Sequence, residues 1–76
     1  MKDLPAPITP DRWLTQLFAA RIAAEGGIVR RKVADIERLV GRRRFLQEVD
    51  RRGFHVIENA GQFVVFCNQE PVVVLR

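Results

Sequence analysis

Two side chains in this sequence could carry nucleophilic chemistry, the single histidine His55 and the single cysteine Cys67. An imidazole beside a thiol can take its proton and leave a thiolate nucleophile. Both fall on a predicted β-hairpin, where the spacing sets them diagonally on one face. No third polar residue is placed to orient His55, and catalysis needs an orienting partner and a pocket as well as a nucleophile. The ordinary reading is a half-buried histidine and a small apolar cysteine in a strand. One His and one Cys also fall short of a tetrahedral zinc set, and there is no CxxC pair. Neither G-x-G-x-x-G nor G-x-x-x-x-G-K-S/T is present, so no phosphate-cradling loop is indicated. No catalytic residue, metal or cofactor is expected.

The basic residues carry the stronger signal. The chain has a formal net charge of +4, modest in total but unevenly placed. From Arg30 to Arg52, nine basic residues stand against Asp35, Glu37, Glu48 and Asp50, an excess of five positive charges. Clustering of that kind suits a polyanion, because each phosphate neutralised releases counterions. Arg43, Arg44, Gln47 and Arg51 share one face of a predicted helix and are side chains that grip phosphates or read purine edges. Arg30, Arg31 and Lys32 could flank a nucleic-acid backbone. A merely solvated arginine-rich surface is the bland alternative, and carboxylates such as Glu48 then serve helix pairs such as Glu48 with Arg52.

These side chains need elements to hold them. Thr9, Pro10 and Asp11 make a helix start, with a capping hydroxyl, a proline at the first helical position and an acid near the positive end. Ile8 and Trp13 have the spacing of a hydrophobic staple. The first helix is expected from Pro10 to about Glu25, with Trp13, Leu14, Leu17, Phe18, Ala20 and Ala24 inward and Gly26-Gly27 as its stop. A short strand at Ile28–Lys32 follows. The second helix takes Val33–Val40 and lacks a good N-cap. Gly41 permits a sharp turn, and the third helix runs from Arg42 or Arg43 to Arg52, stopping at Gly53.

That third helix should bury Phe45, Leu46 and Val49. Three arginines at its N-terminus oppose the helix dipole, a local rule broken with no visible compensation within the chain, and such places often mark function. Phe54–Glu58 and Gln62–Asn68 read as strands joined by the three-residue loop Asn59-Ala60-Gly61. In that register Phe54, Val56, Val64 and Phe66 face the core, and His55, Ile57, Phe63, Val65 and Cys67 lie on the other face. Val72-Val73-Val74-Leu75 reads as a further strand, apolar on both sides, and strands of that kind are normally covered on both sides. A homodimer through Val72, Val73, Val74 and Leu75 is therefore expected, by sheet extension or sheet packing.

At 76 residues the chain can bury one core and little more. The expected organisation is a flexible leader over residues 1–7 and a single domain over 8–76. No apolar run approaches the ~20 residues needed to span a bilayer, and the start lacks the order of a signal peptide, so a cytoplasmic protein without a membrane contact is expected.

The order of elements, helix at Pro10 to Glu25, strand at Ile28 to Lys32, helices at Val33 to Val40 and Arg42 to Arg52, then hairpin at Phe54 to Asn68, resembles the winged-helix superfamily. The expected fold is α+β and winged-helix-like: three helices, a small antiparallel sheet made of a hairpin and a short strand, and an extra C-terminal strand. The resemblance implies that the third helix is the recognition helix and Asn59-Ala60-Gly61 the wing tip, hence a non-enzymatic protein binding duplex DNA. A protein-interaction or assembly module is the alternative, suggested by the second apolar hairpin face and the all-apolar terminal strand. A fainter similarity, in Arg52-Gly53-Phe54 and Gly61-Gln62-Phe63, is to small basic mRNA-interferase toxins. Those carry a catalytic histidine just after the turn glycine where this chain has Gln62 and Phe63, so ribonuclease activity is not expected.

Overall fold

A computed structural model describes residues 9–76; the expected leader and the staple residue Ile8 lie outside them. The fold is α+β, with α1 (Pro10–Ala19), α2 (Arg21–Ala24), β1 (Ile28–Lys32), α3 (Val33–Leu39), α4 (Arg42–Arg51), β2 (His55–Asn59) and β3 (Gln62–Phe66). The three strands form one antiparallel sheet in the order β1-β3-β2. One face of it is covered by the helices.

α1 begins as its sequence dictates. Thr9 is the N-cap, its Oγ1 accepting a hydrogen bond from the Arg12 amide at 3.1 Å, and Pro10 occupies the first turn, where its missing N–H has no helical partner to lose. Leu14, Leu17 and Phe18 are buried on the inward stripe, with Trp13 half-buried against them. The helix does not run on to Glu25. Ala20 is extended (ψ 148°), and a separate turn, α2, follows. No glycine or proline lies between Pro10 and Gly26, so packing imposes the break: it carries Ala23 into the core and turns Ile22 out to solvent.

α3 has no side-chain N-cap, as its sequence implies. Its first amide, Val33 N–H, donates instead to the Gly61 carbonyl of the hairpin turn at 2.9 Å. An orphan helix donor is thereby satisfied from another element.

The hairpin differs from its expected form by one residue. Asn59 pairs with Gln62, leaving a two-residue turn of Ala60 and Gly61, with φ of 51° and 76°. Two successive left-handed residues are what a type I′ turn requires, and its twist matches that of the strands. The register is therefore Glu58 with Phe63, Ile57 with Val64, Val56 with Val65 and His55 with Phe66. Because side chains alternate along a strand, the slip exchanges the faces of β3. Phe63, Val65 and Cys67 are buried in the core with Val29 of β1, while Val64 and Phe66 lie on the outer face with the exposed Ile28 and Ile57. Both strand faces of β3 are apolar, so hydrophobic pattern could not choose between the registers; the turn does.

The core joins all four helices to the inner sheet face. Phe45 stacks on Phe63 with ring centroids 5.0 Å apart, and Phe18 meets Phe54 edge-on at 5.6 Å. Leu46, expected inside with Phe45 and Val49, stands at the helix edge and is 36 % exposed. The expected C-terminal strand does not form: residues 71–76 belong to no helix or strand.

Candidate nucleic-acid interface

α4 positions the side chains singled out above, and it divides them. Phe45 and Val49 turn inward, which aims Arg43 and Gln47 at solvent, beside Leu46 and Asp50. Arg44 and Arg51 sit at the flank, and both turn toward a carboxylate. Glu48 is 4 % exposed, the one charged side chain buried among the described residues. Its Oε1 accepts from Arg44 Nη1 and Arg51 Nε, each at 3.2 Å, and its Oε2 accepts from Arg51 Nη2 and Arg52 Nε, each at 2.6 Å.

Arg51 above all, then Arg52 and Arg44, hold the Glu48 carboxyl well below its ordinary value, down to about 2, overcoming the opposite push of burial. A buried carboxylate is costly alone, and here four donor contacts offset the lost hydration. Two of the arginines have second partners. Arg44 donates Nε and Nη2 to Asp11 Oδ1 at 3.1 and 2.6 Å, which ties α4 to the first turn of α1. The Arg52 guanidinium lies 4.7 Å from the Phe18 ring centroid.

Arg42 is also engaged. It donates to Glu58 Oε1 at 2.5 Å and Glu37 Oε2 at 3.4 Å, and its guanidinium lies 5.1 Å from the Phe63 ring centroid. The hydrogen bonds and charges of Glu58 raise the Arg42 pKa, and those of Asp11, then Glu48, raise that of Arg44. Two of the three arginines that oppose the α4 dipole, Arg42 and Arg44, are thus compensated, and Arg43 is not. The acids that do so stand far off in the chain, Asp11 from α1 and Glu58 from β2, and were invisible to a local reading of the helix.

Between Arg30 and Arg52, what remains uncommitted is a smaller set. Arg30, Arg31, Lys32 and Arg43 are exposed and form no ion pair with a carboxylate among the described residues. Their backbone positions lie toward one end of the domain, but alternation along β1 divides the side chains: Arg30 and Lys32 are on the outer face, and Arg31 is on the inner side beside Trp13, Gln16 and Leu17. Arg31 and Lys32 lie opposite Phe63 and Gln62, next to the Ala60-Gly61 turn. Arg42, on Glu58 and over Phe63, brings the start of α4 to that same end, and Arg43 is the next residue.

The hairpin register separates the pair considered for catalysis. His55 pairs with Phe66 on the outer face, whereas Cys67 is buried on the inner one, and burial pushes its thiol pKa up. They do not share a face as expected. Among the described residues no cluster of three or more His, Cys, Asp or Glu could hold a metal ion, and no helix is long and apolar enough to cross a membrane.

Glu48 is the site residue that sequence reasoning undervalued. Its signal was present: Arg44, Arg51 and Arg52 lie four before, three after and four after it, all spacings that meet on one helix flank. Compared with protein-family models, curated proteins and solved structures, the chain finds no match in any of the three.

Proposed function

We propose that this protein is a winged-helix-like, non-enzymatic nucleic-acid-binding domain that grips the phosphates of duplex DNA with Arg43, Arg30, Arg31 and Lys32, with Gln47 beside them on the outward face of α4. The observation that carries the reading is that these four exposed cations, on β1 and at the start of α4, are left without an acid of this chain among the described residues. The order of two helices, strand, two helices and hairpin supports the same class, with the broken α1–α2 in the place of a single first helix. Arg44 and Arg51, also expected among the binding residues, are ion-paired to Glu48, and in this reading they serve the duplex chiefly by fixing the position of α4.

Four phosphate contacts imply a log–log salt slope of about −3.6, so affinity should fall roughly hundredfold between 50 and 200 mM salt. Fluorescence anisotropy of a labelled 20-base-pair duplex measures this directly. Arg43→Ala should weaken binding and lower the slope by about one, with Lys32→Ala behaving alike. An anisotropy trace flat at 50 mM salt, or binding indifferent to salt, would end the proposal.

A further inference from the structure

We infer that Val72–Leu75 of one copy adds as a strand to the free edge of β2 in a second copy, reciprocally, so that the protein forms a strand-exchanged homodimer. The segment is apolar throughout and open: Val72 is 40 % exposed, Val73 71 %, Val74 80 % and Leu75 91 %. Residues 71–76 make no backbone hydrogen bond among the described residues. β2 is equally unpartnered on one side, since the sheet order β1-β3-β2 leaves it at the edge. An unpaired edge beside an unpaired β-prone segment is a template and a strand in the same chain.

The segment lies alongside the surface next to that edge. Val72 and Val74 line a groove with Leu46, Phe54, His55 and Ile57. Alternate residues toward the groove is the period of a strand. Pro71 stands just before the segment, where a missing N–H costs no ladder bond.

What prevents closure within one copy is direction. β3 ends at Phe66, opposite His55, the first residue of β2. The Gln69 side chain, hydrogen-bonded to the Arg52 carbonyl at 3.5 Å, keeps the chain at that end. The segment therefore enters beside the start of β2 and can run along it only in parallel. A second copy related by a two-fold axis can present the same segment antiparallel, with the more stable ladder.

The area sets the strength of the association. Each Val or Leu side chain offers on the order of 60–120 Å² of apolar surface, judged from its transfer free energy at ~25 cal/mol per Å². Val72 and Val74 of the two copies, the side chains that face the groove, with the matching groove surface, then bury roughly 500–1,000 Å² in total, below the ~1,200–2,000 Å² of a standard interface and in the range of weak, concentration-dependent association.

Sedimentation equilibrium of the full chain from 5 to 500 µM, without nucleic acid, tests this independently of DNA binding. The expected result is a monomer–dimer equilibrium. Val72→Ser with Val74→Ser should weaken dimerisation at least tenfold, and Val73→Pro, which removes one ladder donor, should weaken it more than Val73→Ala. Circular dichroism should show each variant folded, since the segment contributes to no helix or strand of the single chain. Amide exchange in β2 should slow as concentration rises. A clean monomer at 500 µM would overturn the inference, as would a dimer whose dissociation constant ignores all of these substitutions.

Discussion

The inner face of the sheet packs Val29, Phe63, Val65 and Cys67 against residues from all four helices, whereas the outer face leaves Ile28 and Ile57 nearly half exposed, with Val64 and Phe66 between them. The same contrast recurs in charge. On the buried flank of α4, the arginines around Glu48 are matched by acids of this chain; at the hairpin end, Arg30, Arg31, Lys32 and Arg43 are not. A chain this small can satisfy one side of its sheet and one flank of its third long helix. The groups left over, apolar on the outer face and cationic at the hairpin end, are where an outside partner can add something that folding did not supply.

The largest expected effect separates the two sheet faces. Phe63 is 2 % exposed and stacked on Phe45, so Phe63→Ala should cost about 3–5 kcal/mol, enough to unfold most of a domain of ordinary marginal stability. Phe66→Ala, on the outer face, should leave a cooperative transition that costs less than half as much. Urea denaturation of the pair decides the register directly: if Phe66→Ala proves the more damaging, the core face is the other one and the contrast drawn here is reversed.

The charged contrast predicts the next effect. Glu48 titrates at about 2 in the fold against an ordinary 4.5. Its folded value is depressed, so its contribution is fully present above pH 4.5 and is lost as pH falls toward 2. With allowance for the solvent exposure of Arg44 and Arg51, that contribution is about 2–3 kcal/mol. Glu48→Gln should therefore lower Tm by roughly 10–20 °C at pH 7, and the gap from wild type should close progressively between pH 4.5 and 2. A gap that stayed constant across that range would show that shape, not charge, is what Glu48 supplies.

Much of the helical layer was legible in the sequence because its signals are local. The Thr9 cap, the short turn through Gly41 and the stop at Gly53 all lie where their residue types require. The features that escaped are those decided at long range or by geometry with no apolar signature. Nothing between Ala19 and Arg21 announces the break at Ala20. The partners of Arg44 and Arg42 come from 33 and 16 residues away, so a face that reads as an open arginine set is half committed. Phe63-Val64-Val65-Phe66 is apolar in either register, and the choice rests on two turn residues that pattern alone could not rank.

That choice gives the finest test. Ala60 carries φ 51° without being glycine, a conformation that asparagine tolerates better than alanine does and that β-branched residues resist. In the two-residue turn, Ala60→Asn places the preferred residue at the first left-handed position and should stabilise by roughly 0.5–1 kcal/mol, while Ala60→Val should destabilise by more than that. In the alternative three-residue loop, the same position would be right-handed, where asparagine has no advantage and valine little penalty. Thermal melts of the two variants thus move in opposite directions if Ala60-Gly61 sets the register, and stay together if it does not. The identity of the inner face, and with it which apolar surface is left for a partner, turns on the sign of a difference of a few degrees at one alanine.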